Sequence, residues 1–166
     1  LSNNFSITKK TPLIFIGHGH PINALLDNDF TQHLNQIGTS IEKPNAIMLI
    51  SAHWTTKGTF VSVNPQPKAN YDFGKIDDRL LQIKYEPKGH PQLAGQAIES
   101  APNYHIQEDH SMGLDHGAWT VLKHLYPKAD VPVFELSIDD SQPSSYHFEL
   151  ATTLKKLREK GVLSES

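Results

Sequence analysis

The chain contains no cysteine. That absence removes disulfides, thiolate zinc sites and a cysteine nucleophile together. Long apolar runs are missing as well. The longest, residues 46–50, is far too short to cross a bilayer, and the first ten residues hold no stretch of signal-peptide length. A soluble protein is expected, with no membrane partner, and a cysteine-free chain suits the cytoplasm. Charge of one sign is also lacking. Fifteen Lys and Arg are mixed with eighteen Asp and Glu, for a formal net charge of −3, so nothing marks the surface as a nucleic-acid binder. No P-loop, GxGxxG, GxSxG or HExxH pattern occurs, and no repeat or low-complexity segment is found.

What the chain does have is histidine, ten of them among 166 residues. The length suggests a single domain with a real core. Without cysteine, His and carboxylates are the only strong ligands for a transition metal. Position must separate functional histidines from surface ones. Three apolar runs read as strands covered on both faces: residues 13–17 (LIFIG), 46–51 (AIMLIS) and 131–138 (VPVFELSI). Residues 59–63 and 82–85 are weaker strand candidates.

Helical stripes lie between these runs. Leu26, Phe30, Leu34 and Ile37 share a face, with Gly38 as the residue just past the helix end. Residues 91–100 open on a proline suited to a first turn. Ala118, Val121, Leu122 and Leu125 make a third stripe, and residues 144–160 a fourth. Buried strands alternating with amphipathic helices predict an α/β fold, three layers α/β/α around a largely parallel or mixed central sheet. In such sheets ligands bind outside the carboxyl ends of the strands.

Three histidines meet that positional test. His18 follows the first strand in Gly17-His18-Gly19-His20-Pro21, where two glycines let the backbone turn sharply. His53 follows the second strand in Ser51-Ala52-His53-Trp54. If those two strands are adjacent, both rings could reach one metal. A turn histidine hydrogen-bonded to backbone is the plainer reading of His18, and Trp54 reads first as core filler. His116, in Gly113-Leu114-Asp115-His116-Gly117-Ala118-Trp119, sits at a helix start where Asp115 or His116 occupies the cap. It reads either as incidental to a capping Asp or as a proton handler aimed into the crevice. The segment Asn70-Tyr71-Asp72-Phe73-Gly74 suits a loop over a pocket or an ordinary surface loop. The remaining histidines, 33, 90, 105, 110, 124 and 147, read as surface or capping residues.

Five stretches together resemble the class III extradiol ring-cleavage dioxygenases, the LigB-type family, and within it the DOPA 4,5-dioxygenase-like branch. They are PLIFIGHGHP, KPNAIMLISAHW, YDFG, LDHGAWTVLKHLYP and ADVPVFELSID, in the family's order, spanning most of residues 12–163. The resemblance implies a non-haem divalent metal, Fe(II) for ring cleavage or Zn(II), and makes residues 1–166 the N-terminal part of a LigB-type domain. By motif match, His18 and His53 correspond to two metal ligands, and His116 to a histidine close to dioxygen or substrate. Asp72 and Phe73 match a loop motif to which no role is assigned. His20 departs from the pattern, standing where the family usually has serine.

The implied reaction is opening of a catecholic ring beside its diol by dioxygen, so the expected partners are a catechol-type small molecule and O2. The family continues into a further strand and later His and Glu residues that complete the metal site and supply the acid/base group. This sequence stops where that strand should run, which suggests truncation, an inactive or nearly inactive chain, and an exposed edge through which it could form a homodimer. The alternatives are a zinc-dependent hydrolase on the same two histidines and a non-catalytic metal-binding domain.

Overall fold

The structure, a computed structural model, describes residues 10–165. Along the chain run β1 (Leu13–Ile14), α1 (Asp29–Ser40), β2 (Ala46–Leu49), β3 (Thr55–Thr56), β4 (Phe60–Ser62), α2 (Pro91–Ser100), β5 (Gln107–Asp109), α3 (His116–Leu125), β6 (Val133–Glu135), β7 (Ile138–Asp139), α4 (Ser144–Leu154) and β8 (Val162–Glu165). Short 3-10 turns at Pro21–Leu25, Asp78–Gln82, Pro102–Tyr104 and Lys155–Lys160 join them.

The central sheet has the strand order β1-β8-β2-β6, and every pairing in it is parallel. Its layers follow from the period-2 alternation of strand side chains. Ile47, Leu49, Val133 and Leu163 point to one face, into a core with Trp119, Leu122 and Leu125 of α3 and with Ile37 of α1 against it. Ala46, Met48, Phe134 and Val162 point to the other, into a core with Leu93 and Ala97 of α2 and Leu150 and Leu154 of α4. Helices thus cover both faces, as the expected three-layer α/β/α architecture requires. Each large aliphatic side chain so buried contributes about 1.5–3 kcal/mol. Two small parallel ladders, β3 with β7 and β4 with β5, flank the sheet. Among the described residues no helix is long and apolar enough to cross a membrane.

Several sequence expectations need correction. The LIFIG run is not covered on both faces. β1 holds only two residues at the sheet edge, and Leu13 and Phe15 are 62% and 83% exposed. An apolar run cannot by itself report whether a second layer lies over it. The run at 131–138 breaks into β6 and β7. Residues 82–85 form no strand, since a 3-10 turn occupies Asp78–Gln82. Gly38 lies inside α1, which ends at Ser40 with Ile41 as its C-cap. A Cβ there would stand 1.9 Å from the Leu125 carbonyl oxygen, so this glycine serves the close approach of α1 to α3. The last helix turns 3-10 after Leu154 and ends at Gly161, in the left-handed region at φ 77°.

The largest correction concerns the strand expected not to form. Residues 162–165 are a strand, and it inserts between β1 and β2, pairing Leu13 with Ser164 on one side and Ala46–Leu49 with Val162–Glu165 on the other. The strands that lead to His18 and His53 are therefore not neighbours; β8 separates them.

Candidate metal centre

Three loops converge at the carboxyl end of the parallel sheet. The first leaves β1 and carries His18. Gly19 behind it holds φ +65°, a value that favours glycine, and Asn23 Nδ2 donates to the His18 carbonyl at 3.4 Å. The second leaves β2 and is closed as a tight turn. Trp54 N–H donates to the Ser51 carbonyl at 3.2 Å and His53 N–H to Ser51 Oγ at 3.2 Å. Trp54 is buried, in keeping with core filling. The third is the start of α3. Asp115 caps it, its Oδ1 accepting from Ala118 N–H at 3.1 Å, which leaves His116 as the first helical residue.

These elements bring His18, His53 and His116 together despite the strand between the first two. The Nε2 atoms of His18 and His53 are 2.9 Å apart. The His116 ring centroid lies 4.0 Å from that of His53 and 5.3 Å from that of His18. One ring nitrogen from each falls within a 4.8 Å cluster. His116 is buried, His18 half-buried and His53 exposed. Burial, and then the nearby His53 and His116, hold the His18 pKa below the ordinary histidine value, against the opposing charge of Asp115. The neutral ring that results is the form that ligates a metal.

The donor set fits a divalent transition metal. Nitrogens 2.9 Å apart, each ~2.0–2.1 Å from a common ion, would subtend ~90° there. His18 Nδ1 is buried, with the Gly19 backbone beside it and no side chain bonded to it. Gly117 makes the convergence sterically possible. A Cβ on it would stand 3.1 Å from His53 Cδ2 and 3.2 Å from His18 Cδ2.

A second cluster shares His116. Asp72, Asp115 and His116 offer ligand atoms within 4.8 Å of one another. Asp72 Oδ1 accepts the His116 backbone N–H at 2.8 Å, and its Oδ2 lies 3.0 Å from His116 Nδ1. Sequence reasoning left Asp72 without a role. Its partner is 44 residues away, and no local pattern announces such a contact. Beside His18 opens a cleft of about 320 Å³, lined also by Phe15, Ile50, Ala52, Val121 and Ile138. His20 is not in the cluster. It is exposed, and its Nδ1 accepts from Ile22 N–H at 3.2 Å to cap the turn that follows. His90 likewise caps α2, while His124 and His147 bond backbone carbonyls of Asn23 and Asp139.

Residues 11–163 match the family model described as the catalytic LigB subunit of aromatic ring-opening dioxygenase. A protein of Escherichia coli (strain K12) named 4,5-DOPA dioxygenase extradiol is 39% identical over 155 residues, which are 93% of this chain and 57% of the relative. A protein of Beta vulgaris with the same name is 36% identical over 155 residues, 90% of this chain and 58% of its own. The crystal structure of an uncharacterized protein from Escherichia coli K12 superposes with a TM-score of 0.79 at 36% identity, covering 94% of this chain and 59% of that one. The chain thus spans somewhat over half the length of these relatives.

Proposed function

The chain belongs to the LigB family of aromatic ring-opening dioxygenases, and from that premise we propose that it carries the metal-holding part of an extradiol dioxygenase, with His18 and His53 as metal ligands and His116 as the catalytic proton handler. The observation that carries this reading is the approach of the His18 and His53 Nε2 atoms to 2.9 Å at the carboxyl end of the sheet. Fe(II) is the ion suited to ring cleavage, and Zn(II) would occupy the same nitrogen donors. When bound, the metal brings catechol and dioxygen together and stabilises developing negative charge.

Other residues of the chain hold and line this part of the site. Ser51 and Asn23 tie down the two ligand-bearing loops. The apolar lining of Phe15, Ile50 and Val121 beside His18 suits one face of an aromatic ring. His116, buried and backed by Asp72, is placed to accept or return a proton at a catechol hydroxyl. Relatives named for DOPA support a catechol-type substrate, a small aromatic diol, with O2 as co-substrate. A zinc hydrolase or a non-catalytic metal module is not favoured, because the family is one of ring-opening dioxygenases.

The test is metal content by elemental analysis in the wild type, His18→Ala and His53→Ala, joined to oxygen uptake with Fe(II) and a catechol. Each substitution is expected to abolish stoichiometric binding. Unchanged metal in both variants would refute the ligand assignment, and hydrolysis of an ester or amide without oxygen would replace the reaction assignment.

A further inference from the structure

Two carboxylates from distant parts of the chain meet at the start of α3, and each uses one oxygen as a cap. Asp72 Oδ1 accepts the His116 backbone N–H at 2.8 Å, and Asp115 Oδ1 accepts the Ala118 N–H at 3.1 Å. Capping accounts for those two oxygens. It leaves the other two unexplained. Asp115 Oδ2 is buried with no hydrogen-bond partner, on a residue 2% exposed. His116 Nδ1 is in the same condition on a residue 7% exposed, and it stands 3.0 Å from Asp72 Oδ2. Asp72, Asp115 and His116 each bring a ligand atom within 4.8 Å of the other two. Among the described residues no Lys or Arg pairs with either carboxylate. Buried polar atoms without partners are costly, and so are like charges gathered without a counter-charge. A helix cap requires neither.

We propose that Asp72, Asp115 and Nδ1 of His116 form a second divalent-cation site, separate from the His18 and His53 pair, for an ion of the Mn(II) class. Two carboxylate oxygens and one imidazole nitrogen, completed by water, suit such an ion. Its charge offsets both carboxylates, and its ligand bonds use the two buried atoms that capping leaves over. Atoms 3.0 Å apart, each ~2.1 Å from a common ion, would subtend ~90° there. The Asp72 side chain is 34% exposed, which gives the ion a way in and water a place on it. The loop is held in advance. Asn70 N–H donates to the Leu114 carbonyl at 2.7 Å, its carbonyl accepts from Trp119 Nε1 at 2.8 Å, and Tyr71 Oη donates to the Ile83 carbonyl at 2.6 Å. Neither His18 nor His53 belongs to this cluster, so the site stands or fails apart from the ring-opening reading. His116 is common to both. An ion on Nδ1 would confine the ring's proton exchange to its other nitrogen.

The test is a titration with Mn(II) of the chain already loaded with one equivalent of Zn(II), free Mn(II) being followed by electron paramagnetic resonance. The wild type is expected to bind one Mn(II) per chain. Asp72→Asn and Asp115→Asn keep Oδ1 for the helix N–H groups and lose the charged ligand, so affinity should fall at least tenfold in each. His53→Ala, outside the cluster, should keep Mn(II) binding. Failure of the wild type to bind, a loss below tenfold in either Asn variant, or loss of binding in His53→Ala overturns the proposal. Should an Asn variant fail to fold, wild-type amide NMR decides. Substoichiometric Mn(II) should broaden the signals of Asp72, Asp115 and His116 before those of His18 and His53, and the reverse order overturns the site. Oxygen uptake and the metal content of the His18 and His53 variants test the ring-opening assignment separately.

Discussion

Replacing Gly117 by alanine should move metal affinity and fold stability in opposite directions. Gly117 is the second residue of α3, with a backbone outside the left-handed region. At such a position Gly→Ala stabilises by about 0.4–1 kcal/mol, mainly through the unfolded chain. For a chain of this size 1 kcal/mol is worth about 2–4 °C in melting temperature. The new methyl, however, would stand 3.0 Å from Asp115 Oδ1, 3.1 Å from His53 Cδ2 and 3.2 Å from His18 Cδ2. Carbon contacts relax to about 3.5–4.0 Å, so both imidazoles must retreat by roughly 0.3–0.9 Å. Metal–ligand distances tolerate deviations of only about 0.2 Å. Zinc affinity, measured by competition with a chromophoric chelator, should fall about 10–100-fold. The metal-free melting temperature should stay level or rise slightly. Affinity within about twofold of wild type would refute the steric argument. So would a collapse of metal-free stability, because the helix start itself would then have failed.

Gly38→Ala should behave otherwise. Its Cβ would meet the Leu125 backbone, 1.9 Å from the carbonyl oxygen and 2.9 Å from the carbon. Separating α1 from α3 should cost about 1–3 kcal/mol in denaturant unfolding, outweighing a helix-propensity gain of about 1 kcal/mol; a stabilised variant would contradict the packing described. His124 gives a pH-dependent case. Burial above all, aided by Lys123, lowers its pKa below the ordinary 6.5, opposing its bond to the Asn23 carbonyl. The unfolded chain then binds this proton more readily than the folded one. Stability from this group is complete above the unfolded value and is lost as pH falls below 6.5 toward the folded value. His124→Gln should therefore shrink the drop in melting temperature on acidification. Part of the drop should remain, because His18 is shifted in the same direction; an unchanged drop would show that His124 does not couple to folding.

The parts of the site that could be read from sequence are those whose signal is local. An apolar run followed by histidine marks a strand end, and so His18 and His53 stood out. An acceptor before a helical stripe marks a cap, and so the cap is read at Asp115 or His116; the structure puts it on Asp115. What escaped depends on residues far apart in the chain. Strand order is one instance. Nothing in LIFIG or AIMLIS reveals that Val162–Glu165 runs between them. Exposure is another. Leu13 and Phe15 carry the side chains of a core strand but lie at an edge. The grip of Asp72 on His116 and the contacts of Gly38 and Gly117 are likewise tertiary. They have no periodicity to betray them.

The insertion of β8 also sets a timetable for synthesis. The loops bearing His18 and His53 belong to strands that touch β8 and not each other. β8 comes from residues 162–165 and pairs with residues 13–14 and 46–49. A nascent chain that has emerged through α3 already holds all three clustered histidines, yet no sheet joins its first two strands. Closing so long a loop is slow relative to local helix formation. At a synthesis rate of about 5–20 residues per second, the interval lasts for seconds. During it the histidines are present without their spacing, and an ion encountered then would meet single imidazoles rather than a site. Capture of the metal should therefore be among the last events in the maturation of this sheet.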